Sequence, residues 1–160
     1  MSSIEIRSFT AADKDWLLTQ HRDHYARVEG FDESFGLLVG EILDAFIRDH
    51  VPGRDAGWIA QMGDARLGSV FCVHRSDTTA QLRLFYLVPE ARGQGLGKRL
   101  LQGATDHARA LGYREFILWT HESHRAAGAL YKAAGWELVD STPAVSFGQE
   151  VVVQNWRIDL

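Results

Sequence analysis

The chain opens on "IEIRSF", residues 4–9, where apolar and polar positions alternate with the period of a half-buried strand. "TAADKDWLLTQHRDHYARV" then switches to helical spacing, with Thr10 as the expected N-cap, acidic residues early, Arg27 late and Gly30 as the stop. A second helical run, "ESFGLLVGEILDAFIRDH", sets Leu38, Ile42, Phe46 and Ile47 near one face before Pro52 and Gly53 break it. The period then returns to that of strands. "GWIAQM", "ARLGSVFCVH" and "AQLRLFYLV", separated by "GD" and "RSDTT", predict an antiparallel meander. Pro89 cannot continue a central strand, so the chain must turn there. Leu96, Leu100, Leu101, Ala104, Ala108 and Leu111 fall at helical spacing, with Gly112 as the stop. "REFILWT" predicts a buried strand, "SHRAAGALYKAAG" a short helix, and "GWELVD" and "EVVVQNWRIDL" two final strands. Trp58, Trp119 and Trp156 are expected in the core. The order is strand, two helices, three strands, helix, strand, helix, two strands: a mixed α/β domain. No repeat or linker interrupts it, so one domain is expected over residues 1–160.

Composition narrows the function classes. With 46% apolar and 24% charged residues, the chain has the balance of a soluble globular domain. A net charge of -4 argues against nucleic acid as a partner, since phosphate backbones favour basic surfaces. The first residues lack a signal-peptide pattern and no apolar run reaches membrane-span length, so a cytoplasmic protein without membrane contact is expected. The single cysteine, Cys72, lies in the apolar run "GSVFCV" and is expected to be a buried small hydrophobe, not a nucleophile.

The chemistry concentrates in "VPEARGQGLGKRLL", which packs Gly93, Gly95 and Gly97 into five positions ahead of a helix. Bare backbone at a helix N-terminus suits phosphate, because free N–H groups and the helix dipole both point at the ligand. The dinucleotide fingerprint needs glycine where Lys98 stands, and a P-loop needs glycine at Arg92 and a hydroxyl at Arg99, so both spacings fail. What survives is Arg-x-x-Gly-x-Gly after an apolar strand. Together with "HRAAGALYKAAGW", where Ala127, Tyr131 and Gly135 hold the expected positions and His124 stands where asparagine is usual, it resembles the GNAT superfamily of acyl-CoA-dependent N-acetyltransferases. "LRLFYLVPEARGQGLGKRL", "GYREFILWT" and "SFGQEVVVQNWRIDL" look more narrowly like the acetyltransferase half of bacterial fusions with a MarR-type DNA-binding half. No such half is expected here, and DNA binding is not carried over.

The resemblance implies a GNAT fold: a central, mostly antiparallel sheet of about seven strands, flanked by four helices and splayed between the fourth and fifth strands. It implies acetyl-CoA as acyl donor, with the backbone of Leu87 and Val88 and the loop residues Arg92, Gly93, Gln94, Gly95, Leu96, Gly97 and Lys98 as its binding site. His124 is placed with them by its motif position, and Tyr131 is the implied proton donor to the departing thiolate. The implied reaction is direct transfer to an amine of a small molecule or peptide; a homodimer is one allowed assembly. His21, Tyr25, Glu29 and Phe31 are candidate acceptor contacts, with His21 and Tyr25 one helical turn apart. The general base stays open among His121, Glu122, His124 and a water chain to a distant carboxylate. His121-x-x-His124 has a metal-site spacing without a third ligand, so no metal is expected. A non-catalytic acyl-CoA-binding module is the alternative reading.

Overall fold

The computed structural model describes residues 3–160, so the first two residues of the expected domain lie outside the described residues. One seven-stranded sheet organises the chain, in the order β1-β2-β3-β4-β5-β7-β6. Strand β1 (Glu5–Ser8) pairs antiparallel with β2 (Ala56–Met62), which begins the meander through β3 (Ala65–His74) and β4 (Thr79–Leu87). Strand β5 (Glu115–His121) runs parallel to β4, and β7 (Gln149–Asp159) separates it from the edge strand β6 (Glu137–Ser146).

Helices α1 (Lys14–Glu29) and α2 (Glu33–Asp49) cover one face, α3 (Leu96–Ala110) and α4 (Arg125–Ala133) the other. Leu17, Val39, Leu43, Ile59 and Phe71 form the core beneath the first pair. Leu100, Leu101, Ala104, Ala108, Phe116 and Trp136 form the core beneath the second. Gly30 ends α1, as expected, in the left-handed conformation that glycine adopts without a Cβ penalty. Cys72 is fully buried in β3, and burial pushes its thiol up to about 12.

Four expectations need correction. Thr10 does not open α1 directly; a 3-10 turn, Ala11–Asp13, comes first, because Asp13 turns inward to bind two arginines. On α2 the deepest stripe is Phe35, Val39 and Leu43; Leu38 and Ile42 are half-buried and Ile47 is exposed. Trp119 is 39% exposed, since it faces the opening beside β5; Trp58 is half-buried and Trp156 buried. The strand expected to end at Asp140 continues to Ser146 through Pro143. An edge strand tolerates this, because the missing N–H can face outward where no ladder partner waits.

Two features bend the sheet where the site forms. Parallel pairing of β4 with β5 covers only Thr79–Glu115, Ala80–Phe116 and Gln81–Ile117, after which the strands part. Within β4 the register to β3 slips: Tyr86 faces Ser69 but Arg83 faces Phe71, so Leu84 and Phe85 share the space opposite Val70. This bulge holds Leu84 at φ 47, a conformation that costs a leucine on the order of 1 kcal/mol. Ser69 Oγ donates to the Leu84 carbonyl at 2.7 Å and pins it there.

At the opposite edge, the buried Asp13 carboxylate accepts from Arg7 at 2.8 and 2.9 Å, from Arg66 at 2.8 Å and from the Thr10 N–H at 2.9 Å. Burial pushes this carboxyl up, but the two guanidiniums and the Thr10 amide outweigh it and hold it well below the carboxylate range. Its contribution is therefore complete above the ordinary carboxylate value and lost as pH falls below it. Asp13→Ala is expected to lower stability in urea unfolding at pH 7 by about 2–4 kcal/mol, since it strands Arg7 and Arg66 beside each other.

Candidate active site

The turn after β4 leads through a 3-10 segment, Pro89–Ala91, into α3. Gly93 and Gly95 sit at φ 76 and 80, which only glycine adopts without strain, and a side chain at either would point into open space. Gly97 has a different role. A Cβ there would meet Leu87 and Leu130 at 3.2 Å, so its bareness lets α3 pack against the end of β4 and against α4. No side chain caps α3, leaving the first-turn N–H groups of Leu96, Gly97 and Lys98 without an intrahelical acceptor. Leu96 buries its side chain in the core, so only its backbone faces the loop. Gln94 is exposed and donates back to the Glu90 carbonyl; Lys98 is exposed.

Arg92 turns away from the glycines. Its guanidinium donates to the Leu87 carbonyl at 3.2 Å and lies 3.4 Å from His24 Nε2. Arg99 donates to the Ile4 carbonyl, which ties α3 to the start of the chain. The Val88 N–H is taken by the Leu67 carbonyl at 2.9 Å. Strand alternation then directs the Leu87 N–H the other way, toward the gap beside β5.

That gap is a cavity of 110 Å³. Leu82 to Phe85 on β4 form one wall and Trp119, Thr120 and His121 on β5 the other. From above, α1 contributes His21 and Tyr25, α2 contributes Phe35, Leu38, Val39 and Ile42, and Tyr131 and His124 close the far side. Glu29 and Phe31 lie next door, in a wider groove of 740 Å³ between the end of α1, the β5–α4 connection and the β6–β7 hairpin. Glu122 and Glu150 give that groove further carboxylates, partly offset by Arg125. The sequence-predicted residues thus divide: His21, Tyr25, His124 and Tyr131 meet in the cavity, Glu29 and Phe31 line the groove beside it, and the glycine loop stands at the start of α3.

Tyr131 is 4% exposed and packs among Phe85, Trp136 and Trp156, with ring centres 5.7–6.1 Å away. Burial, with Tyr25 adding to it, holds its phenol well above the ordinary tyrosine value, so it stays protonated at neutral pH. Burial and Tyr86 raise Tyr25 to about 12.

The histidines are held neutral. His21 Nδ1 meets the Leu17 carbonyl at 2.8 Å, and burial lowers this group to about 4. His124 is also lowered to about 4, by burial first and then by His121, His24 and Arg92. Its Nδ1 contacts Thr120 Oγ1 at 3.1 Å, while Nε2 lies 3.7 Å from Glu29, too far for a hydrogen bond. Burial lowers His24 and His121 as well. Both ring nitrogens of His121, Nδ1 of His24 and Nε2 of His124 are buried without a partner among the described residues. Buried polar atoms are rarely left so, and this many in one cleft mark a place built to meet a ligand or water. The rings of His121 and His124 are 5.4 Å apart and near perpendicular, and no three potential ligands cluster as a metal site among the described residues.

Sequence reasoning did not find the Leu84 bulge, Tyr86 or Arg83. No local signal marks the bulge. Tyr86, whose hydroxyl donates to Gln20, reads as one more aromatic in an apolar strand. Arg83 carried a signal: it is the one charge inside "AQLRLFYLV".

The model for the acetyltransferase (GNAT) family matches residues 14–136. Mycothiol acetyltransferase from Geodermatophilus obscurus is 29% identical over 143 residues, covering 83% of this chain and 44% of that protein. N-alpha-acetyltransferase 30 from Schizosaccharomyces pombe is 31% identical over 83 residues, covering 49% of this chain and 55% of that one. The chain thus spans about half the length of these relatives. Among solved structures, an N-acetyltransferase from Staphylococcus aureus superposes with a TM-score of 0.79 at 17% identity, covering 99% of both chains. A putative acetyltransferase from Salmonella typhimurium, solved with its cofactor acetyl-CoA, superposes at 0.77 and 17% identity, covering 99% of this chain and 95% of that one.

The depressed histidines give a pH dependence with a definite sign. Unfolded imidazole titrates near 6.5, whereas His21 and His124 in the fold titrate at about 4, so between these values the unfolded chain holds more protons. Their contribution is whole above pH ~6.5 and declines as pH falls toward 4, with a slope of up to about 1.4 kcal/mol per pH unit for each group. Unfolding midpoints measured from pH 7 to 4.5 are expected to fall, and to fall less steeply in His124→Asn.

Proposed function

The chain belongs to the acetyltransferase (GNAT) family, and on that premise we propose that it transfers an acetyl group from acetyl-CoA to an amine by direct attack in a ternary complex. The observation that carries this is the parting of β4 from β5 after three residue pairs, beside an uncapped helix N-terminus and a buried tyrosine. Acetyl-CoA supplies an activated thioester. The N–H groups opening α3, made approachable by Gly93 and Gly95, are suited to its pyrophosphate. The free edge of β4, with the Leu87 N–H, is suited to an extended pantetheine chain and to polarising the thioester carbonyl.

The acceptor nitrogen forms a bond to the acetyl carbon as the carbon–sulfur bond breaks. The departing sulfur takes its proton from Tyr131 Oη, which burial keeps protonated. The proton lost by the amine goes to a neutral imidazole, for which His121 has both ring nitrogens unpartnered in the cavity wall. Direct transfer is favoured over a cysteinyl acyl-enzyme because Cys72, the chain's single cysteine, is buried, with its thiol raised to about 12.

Two measurements test the reading. Acetyl-CoA is expected to raise the melting temperature in a saturable way, and its failure to do so at millimolar concentration would sink the proposal. Tyr131→Phe is expected to lower kcat for thiol release about a hundredfold, leaving the acetyl-CoA-induced shift in place. Unchanged kcat would remove Tyr131 as proton donor; full acetyl-CoA binding with no amine ever acetylated would favour a binding module.

A further inference from the structure

Arg83 stands in β4 between Leu82 and Leu84 and lines both the catalytic cavity and an adjoining one of 250 Å³ beneath α2, with Ile42 at their common wall. It is half-buried and, among the described residues, has neither a hydrogen bond nor an ion pair. The carboxylates of the second cavity are engaged elsewhere: Asp49 with Arg48, and Asp55 with Arg54 and the N–H groups of Val51 and His74. Two residues back on the same strand face, Gln81 is buried with Oε1 lacking any donor, so Arg83 does not turn to it. Burial, and then the repulsion of Arg75, work against its charge, and neither Asp49 nor Asp55, engaged as they are, offsets them. A half-buried cation without a counter-charge is held at a cost that a bound anion relieves.

We propose that Arg83 anchors a carboxylate on the acceptor, which makes the acceptor an amino acid with an apolar or aromatic side chain. The planar guanidinium matches a carboxylate with two parallel hydrogen bonds, and Phe35, Leu38, Ile42 and Trp119 offer the apolar wall. The register gives the spacing. From the pair Gln81–Ile117, Arg83 lies two residues along β4 and His121 four along β5, an offset of about 7 Å along the strands. One small molecule can therefore present its carboxylate to Arg83 and its amine toward His121. This inference rests on the acetyltransferase reading of the same cavity.

The test uses apolar and aromatic L-amino acids, each paired with the amine that lacks only its carboxylate, for example phenylalanine with 2-phenylethylamine. Acetyl-CoA binding is measured first by thermal shift, and its absence would overturn the acetyltransferase reading. The Arg83 inference is judged separately, by thiol release and by calorimetric titration of the same pairs with coenzyme A present. At least one amino acid is expected to exceed its decarboxylated partner about tenfold or more in kcat/KM or affinity. Arg83→Gln should collapse that ratio toward one while keeping the acetyl-CoA-induced shift, which reports an intact fold. Amines that match or exceed the amino acids across the whole panel, or a preference that survives in Arg83→Gln, would overturn it. The first of these outcomes requires no variant to fold.

Discussion

Everything in the cleft depends on the shortness of one strand pairing. Strands β4 and β5 bond over three residue pairs and then separate, which leaves polar backbone along the interior of a sheet instead of at its rim. Interior backbone groups left unpaired are costly, so the parting needs a structural cause. The bulge at Leu84 and Phe85 supplies it. The strained Leu84, fixed by Ser69, adds a residue to β4 without extending its partner and turns the strand's end away from β5. The same displacement delivers the chain to Pro89 and the glycines, placing the start of α3 beside the freed edge. Strain at Leu84 and the parting beside the cavity are thus two sides of one local insertion.

The groups around the cavity suit that origin. His21, His121 and His124 line the cavity and His24 lies beside Tyr25, with no carboxylate within hydrogen-bond reach among the described residues, and burial lowers all four. Glu29 comes nearest, 3.7 Å from His124. Tyr25 and Tyr131 are kept protonated by the same low-dielectric surroundings. A site of neutral imidazoles and intact phenols can accept a proton from one reactant and return one to another without carrying standing charge. Arg83 is the exception at its edge, a charge without an ion pair among the described residues.

Legibility in the sequence followed the range of the interactions. The meander, α3 and the glycine loop were readable because each rests on local periodicity or on glycines at fixed spacing; Gly30, Gly93 and Gly95 do hold positive φ. Tyr131 was readable only through its motif, since nothing local distinguishes it from a core aromatic such as Trp136. The bulge at Leu84 was invisible, because register slips are decided by what lies opposite. Trp119 and the C-terminal end of β6 were misread for a related reason. Whether a strand position is interior, edge or beside a parting depends on strand order, which no single segment encodes. Val88 shows the same limit at atomic scale: its amide lies in the stretch the motif marks, yet Leu67 on β3 has already taken it.

On the proposed reading the donor and acceptor sides are built from different materials, and this bears on how they diversify. The loop at α3 offers backbone N–H groups and bare glycines, so few side-chain substitutions change what it presents, while a side chain at Gly93 or Gly95 strains the backbone at positive φ. The cavity proposed for the acceptor is lined by side chains drawn from α1, α2, β4, β5 and α4. A fold with this division can keep one acyl donor while its acceptor changes freely. It also explains why a motif at the loop identifies the chemistry so readily and leaves the acceptor unspecified. On the proposed reading, selectivity lies in charges such as Arg83, which sets this cavity apart from a merely apolar one.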